Sequence, residues 1–145
     1  MSRRHGARAG TQLALALGLL AGCRESGASP QAVPGGDPAR GRRLVAEYGC
    51  GGCHVVPGVP GAVGGVGPSL AGFAERSFIV GGLRNEPEAL VRWILAPQSV
   101  EPATVMPTLG VAEPHARDIA AYLYTLSRGG LGPPHLFPAD AIPAH

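Results

Sequence analysis

Cys50-Gly51-Gly52-Cys53-His54 is the stretch on which the reading of this 145-residue chain turns. Two thiols separated by two residues can each add across one vinyl group of a porphyrin, and the adjoining imidazole is then carried to the iron as its proximal ligand. Two other chemistries compete for the same residues. A structural zinc site draws on about four Cys or His ligands. The third cysteine is Cys23, far upstream, and His115, His135 and His145 show no paired spacing, so zinc would be under-coordinated. A dithiol redox pair belongs at a strand-to-helix junction of an α/β unit. Here the motif follows a helical pattern in a chain with few strand signals. Covalent haem attachment is therefore the leading reading, with zinc and dithiol chemistry as its rivals.

Working outward, Asp37 is an N-cap and Pro38 a first helical residue. Gly41, Leu44, Val45 and Tyr48 then fall at i, i+3, i+4 and i+7, with Arg40, Arg42, Arg43 and Glu47 left to solvent. A glycine inside a helix costs about 1 kcal/mol against alanine, so Gly41 needs a reason. Gly49 ends this helix just ahead of the motif. After His54, residues 55–67 are apolar but broken by Gly and Pro, which predicts no regular element. Phe73 to Leu83 has no clear period and reads as a loop with a turn of helix at most. A second helix starts at Asn85-Glu86-Pro87 and sets Leu90, Trp93, Ile94 and Pro97 on one face. Gln98 to Gly110 is irregular and holds Met106-Pro107. The last helix opens at Glu113-Pro114 and runs its apolar stripe through Ile119, Tyr122, Leu123 and Leu126.

In this order, with Gly67-Pro68-Ser69-Leu70 after the motif and Asp118-Ile119-Ala120-Ala121-Tyr122-Leu123 near the end, the chain resembles the class I c-type cytochromes over about residues 37–127. These are small monohaem electron carriers. The resemblance implies an all-α cytochrome c fold, three to four short helices and loops wrapped around one covalently bound haem c. It implies that Cys50 and Cys53 form the thioethers and that His54 and Met106 are the axial iron ligands. The Pro68 carbonyl would accept the His54 ring N–H, fixing its tautomer. Trp93 falls where the family often carries an aromatic against the porphyrin, a plain core role being the alternative. Gly41 would let the first helix cross the last at close range, against Ile119 and Tyr122. Met106 is the sole methionine besides Met1, and a soft thioether keeps the iron six-coordinate in both oxidation states. The rival ligand, His115, is expected on the solvent side of the last helix. The gap from His54 to Gly67-Pro68 is longer than in mitochondrial relatives, which bears on the path of the loop rather than on the ligand. Its valines and alanines form either an uncharged docking rim at the haem edge or plain packing.

The N-terminal segment has a different character. Arg3, Arg4 and Arg8 precede an apolar run, Leu13 to Ala21, too short to span a bilayer, so residues 1–22 read as a signal peptide. Leu20-Ala21-Gly22-Cys23 resembles the bacterial lipobox, in which the cysteine becomes a lipidated N-terminus. Cleavage nearby with a free Cys23 thiol is the alternative. Residues 23–36 read as a flexible tether and 128–145, rich in Pro and Gly, as a disordered tail. No second domain, internal repeat or transmembrane span is expected after the leader.

All twelve basic side chains are arginines, and loss of Arg3, Arg4 and Arg8 leaves nine against ten acidic ones. Near-neutrality gives no footing for nucleic acid. With no lysine there is no lysine docking ring, so partners must be met through scattered arginines, apolar contact or tethering. A core with 5% aromatic residues is small, and a buried porphyrin would supply much of the missing apolar area, so the apoprotein is expected to be largely unfolded.

The resulting expectation is a non-enzymatic, lipid-anchored one-electron carrier on the periplasmic side of a bacterial membrane. By resemblance, a quinol:cytochrome c oxidoreductase or dehydrogenase would be the donor and a terminal oxidase or reductase the acceptor. The alternative is a haem enzyme subunit or gas- or peroxide-binding protein with a labile sixth ligand, for which no distal His or Arg pair is discernible.

Overall fold

The Asp37 carboxylate accepts the backbone N–H groups of Ala39 (2.8 Å) and Arg40 (3.0 Å), which starts the first helix where the sequence placed it. In the computed structural model, which describes residues 31–128, α1 spans Pro38–Glu47 and is followed by a short 3-10 turn, Cys50–Gly52. A second 3-10 turn, Phe73–Glu75, leads into a hairpin of β1 (Phe78–Val80) and β2 (Leu83–Arg84). Three more helices follow: α2 (Pro87–Leu95), α3 (Pro97–Val100) and α4 (Glu113–Leu123). Helices dominate, as expected for the all-α class. The 3-10 turn at Phe73–Glu75 is the turn of helix expected over 73–83, while the two-stranded antiparallel hairpin, which pairs Phe78 with Arg84, replaces the rest of the expected loop. Strands of three and two residues are too short to show a period of two.

The crossing of α1 over α4 organises the domain. A β-carbon at Gly41 would collide with the backbone carbonyl of Asp118, so only glycine lets the two helices approach this closely. The nearest atoms are the backbone of Asp118 and of Ile119, the latter one of the two residues that the resemblance implied. Tyr122 has another task, donating its hydroxyl to the Pro57 carbonyl at 2.5 Å and so tying the loop after the motif to α4. Asp118 is fully buried and bonds across the same crossing. Its carboxylate accepts the Asp37 N–H (2.8 Å) and the Arg40 guanidinium through both Nε and Nη2, the latter at 2.7 Å. The Arg40 hydrogen bonds hold its carboxyl below the usual range against the opposing effect of burial.

Arg117 links α4 to α2 by a two-pronged pair with Glu88 (2.8 and 3.1 Å) and adds a bond to Glu113 at 2.5 Å. Buried Asn85 performs a similar service inside. Its amide donates to the carbonyls of Phe73 and Arg76, both at 3.0 Å, and its oxygen accepts the Tyr124 hydroxyl at 3.0 Å. The core proper is apolar, built from Leu44 and Val45 of α1, Leu90, Val91 and Ile94 of α2, and the inner face of α4.

Of the stretch read as a tether, residues 31–36 are described, and Val33–Gly36 is packed rather than loose. Val33 is 6% exposed and belongs to the core, Gly36 donates back to its carbonyl at 3.0 Å, and Gly36 lies against Arg117 and Ala121. A buried valine in a polar, Pro- and Gly-rich stretch leaves no periodic mark. The stretch read as a signal peptide, Cys23, and residues 129–145 of the stretch read as a tail lie outside the described residues. Among the described residues no helix is long and apolar enough to cross a membrane.

Candidate functional site

Gly49 adopts a left-handed conformation (φ 70°) that stops α1 and turns the chain into the 3-10 turn carrying Cys50. The turn is closed by the N–H groups of Cys53 and His54, both donating to the Cys50 carbonyl at 3.2 and 3.0 Å. Both thiols are unpaired and half-buried, and both line a cavity of about 270 Å³ with almost wholly apolar walls. Burial pushes the Cys50 thiol up, the reverse of the depressed value that a redox-active dithiol needs. Among the described residues no three His, Cys, Asp or Glu side chains come together to hold a metal ion.

His54 lines the same cavity. Its Nδ1 lies 2.7 Å from the Pro68 carbonyl, which can only accept, so Nδ1 carries the proton and Nε2 keeps its lone pair. Gly67 makes this possible, because a β-carbon there would run into the His54 ring. The loop that leads from the motif to Gly67 is pinned by an isolated bridge between Val55 and Val63 and by the Arg42 Nε bond to the Gly58 carbonyl at 2.7 Å. Val63 and Val66 stand out from it at 79% and 74% exposure, Val66 at the cavity mouth.

The remaining walls come from α2, α4 and the segment between α3 and α4. Leu90, Trp93 and Ile94 face the cavity from α2, and Ile119 and Leu123 from α4. Pro97, expected on the same face as these α2 residues, is instead buried at the start of α3. Met106 reaches the cavity from the irregular 101–112 segment, alongside Thr104, Val105 and Leu109. The structure thus brings together Cys50, Cys53, His54, Pro68, Trp93 and Met106 around one cavity. His115 does not line it, and its Nδ1 is engaged with the Tyr48 hydroxyl at 2.9 Å.

The sequence did not single out the charged residue on the wall. Among the described residues Arg76 is the only arginine there, half-buried, with its guanidinium 5.3 Å from the Phe73 ring centroid and bonded to the Ser69 carbonyl. Burial lowers its pKa, though a guanidinium stays charged throughout the working range. A cation on an apolar wall suits a ligand that is apolar with an acidic edge. Two thiols, an oriented imidazole with a free Nε2, a thioether and one cation beside apolar walls fit a covalently attached haem with its propionates. Arg76 lies in a segment without periodicity, and only its place in the fold reveals it.

Comparison with known proteins agrees with this donor set. A family model described as Cytochrome c matches residues 38–127. The chain is also similar to a protein named cytochrome c oxidase subunit 2 from Alkalihalophilus pseudofirmus, with 39% identity over 88 residues. The match covers 60% of this chain and 25% of that relative, so the chain spans only about a quarter of the relative's length.

Proposed function

Since the chain belongs to the cytochrome c family, and so is a haem electron-transfer protein, we propose that it carries one haem c and passes single electrons to a terminal oxidase. The haem, when bound, supplies a one-electron couple at its iron. Cys50 and Cys53 would hold it by thioethers, and His54 Nε2 and the Met106 thioether would ligate its iron. The convergence of these four side chains, from two segments some fifty residues apart, on one apolar cavity is the observation that carries the reading.

The protein's own part is to keep the iron's surroundings fixed during transfer. Pro68 holds the His54 ring in one tautomer and orientation, which leaves Nε2 no alternative partner to seek. Leu90, Trp93, Ile94, Ile119 and Leu123 keep water from the cavity, and Trp93 supplies the flat aromatic wall. Arg76 offers its charge to a propionate. The exposed Val63, Val66 and Val105, the last at 85% exposure, give an uncharged rim for brief docking.

The oxidase assignment is supported by the name of the similar protein, cytochrome c oxidase subunit 2. We further propose that Cys23 is lipidated after removal of residues 1–22 and that the domain works on the periplasmic face of a bacterial membrane. The donor is then a quinol:cytochrome c oxidoreductase or a dehydrogenase. Both proposals are supported by the sequence pattern alone.

Acid–acetone treatment of protein matured in cells competent for haem ligation tests the reading. The pigment should stay with the polypeptide, and the oxidised protein should show the weak near-infrared sulfur-to-iron band, absent in Met106→Ala. Release of the pigment would overturn covalent attachment, and a band unchanged in Met106→Ala would overturn the sixth ligand. Recovery of an oxidase in a pull-down from detergent-solubilised membranes tests the partner.

A further inference from the structure

Met106 sits on a segment with little backbone support, since among the described residues 105–111 form no backbone-to-backbone hydrogen bond. Side chains supply what the backbone lacks. The Met106 N–H donates to Thr104 Oγ1 at 3.2 Å, and the Met106 carbonyl accepts Gln98 Nε2 at 2.7 Å. The other end of the same amide, Gln98 Oε1, accepts the Thr108 hydroxyl at 2.7 Å. A carbonyl can only accept, so the amide nitrogen must face Met106 and the amide oxygen Thr108. Gln98 therefore grips the segment on both sides of Pro107. It does so from α3, which is fixed to the core by the fully buried Pro97 immediately before it.

We propose that Gln98 is a positioning residue for Met106, and that its two hydrogen bonds set how often the thioether leaves the sixth position of the iron. The inference rests on the reading of Met106 as an axial ligand. Among the described residues Gln98 does not line the cavity, and its side-chain hydrogen bonds go to the Met106 carbonyl and the Thr108 hydroxyl. Its side chain is exposed, so both bonds compete with water and their loss should loosen the segment without unfolding the domain.

The test is the rate at which carbon monoxide replaces the thioether on the reduced holoprotein, since the gas binds only to molecules whose Met106 has left the iron. Gln98→Leu keeps the side chain's bulk and removes both bonds. Its rate should rise on the order of tenfold, equivalent to about 1.4 kcal/mol, while the Soret spectrum and helix content stay unchanged. Thr108→Val, which removes one bond, should give a smaller rise. Ser99→Ala, which removes only a hydroxyl bond to the Ala96 carbonyl just ahead of the same short helix, should leave the rate alone. Wild-type rates in Gln98→Leu would overturn the proposal, as would an equal rise in Ser99→Ala, which would mean general loosening of α3. Should Gln98→Leu fail to mature, Thr108→Val decides alone: a rise supports the proposal and an unchanged rate overturns it. A wild type without the sulfur-to-iron band overturns the ligand reading itself, and with it the premise of this proposal. A wild type with the band and an unaffected Gln98→Leu overturns only the role of Gln98.

Discussion

Replacing both attachment thiols, as in Cys50→Ala/Cys53→Ala, produces a polypeptide to which no haem can be fixed, and its stability can be worked from the cavity. An unfilled volume of about 270 Å³, at the ~24 cal/mol per Å³ found for buried voids, costs about 6 kcal/mol. Domains of this size are stable by only about 5–15 kcal/mol in total. The longer helices cannot hold out on their own, because α1, α2 and α4 have 10, 9 and 11 residues, and isolated helices below about 12–15 residues are marginal in water. Far-ultraviolet circular dichroism should show most of the helix signal gone at 25 °C. Urea titration should give a shallow, poorly cooperative transition in place of the steep one of the mature protein. A double variant with the midpoint and slope of the mature form would refute the argument, since its core would then be complete without the porphyrin.

Asp118→Asn should destabilise the mature protein by about 1–3 kcal/mol at neutral pH, through loss of charge-assisted bonds across the α1/α4 crossing. The Asp118 carboxyl is lowered in the folded state, so its contribution is complete above the ordinary carboxylate range. It is lost as the pH falls from about 4 towards the lowered value, and urea midpoints of the variant should fall less steeply than wild type there. Asn85→Ala removes the buried amide that the Phe73 and Arg76 carbonyls and the Tyr124 hydroxyl share and should cost about 1–3 kcal/mol by chemical denaturation. Gly67→Ala forces the His54 ring off the Pro68 carbonyl. It should destabilise by about 1–3 kcal/mol and alter the ligand-field bands of the haem, and an unchanged spectrum would contradict the packing at Gly67.

What the sequence reveals here is what repeats locally. Asp37 at its cap, the apolar face of α1, the face of Leu90, Trp93 and Ile94, and the spacing of Cys50, Cys53 and His54 are all set within a turn or two of chain. The polar residues that knit the domain escaped because each partner is remote. Asp118 reads as one more charge on the last helix until Asp37, 81 positions away, is placed beside it. Asn85 reads as a helix-start residue until its amide is found inside, and Glu86 occupies the cap instead. Gln98 meets Met106 across a segment with no period of its own. Val33 was lost in a stretch whose composition signals looseness, because one buried side chain does not alter an average. The Met106 sulfur, by contrast, is legible because Met106-Pro107 falls in the order of the resemblance and the chain offers no other thioether beyond its first residue.

Closure of α1 upon α4 joins the beginning of the domain to its end. A polypeptide made from its N-terminus has therefore synthesised Cys50 and Cys53 long before the Asp118 carbonyl exists to receive Gly41. During that interval the thiols belong to an unclosed strand of chain and can be reached from any side. Until a bulky planar group occupies the hollow between them, the two ends of the domain have little to close upon, so the thiols are met on a chain that is still open.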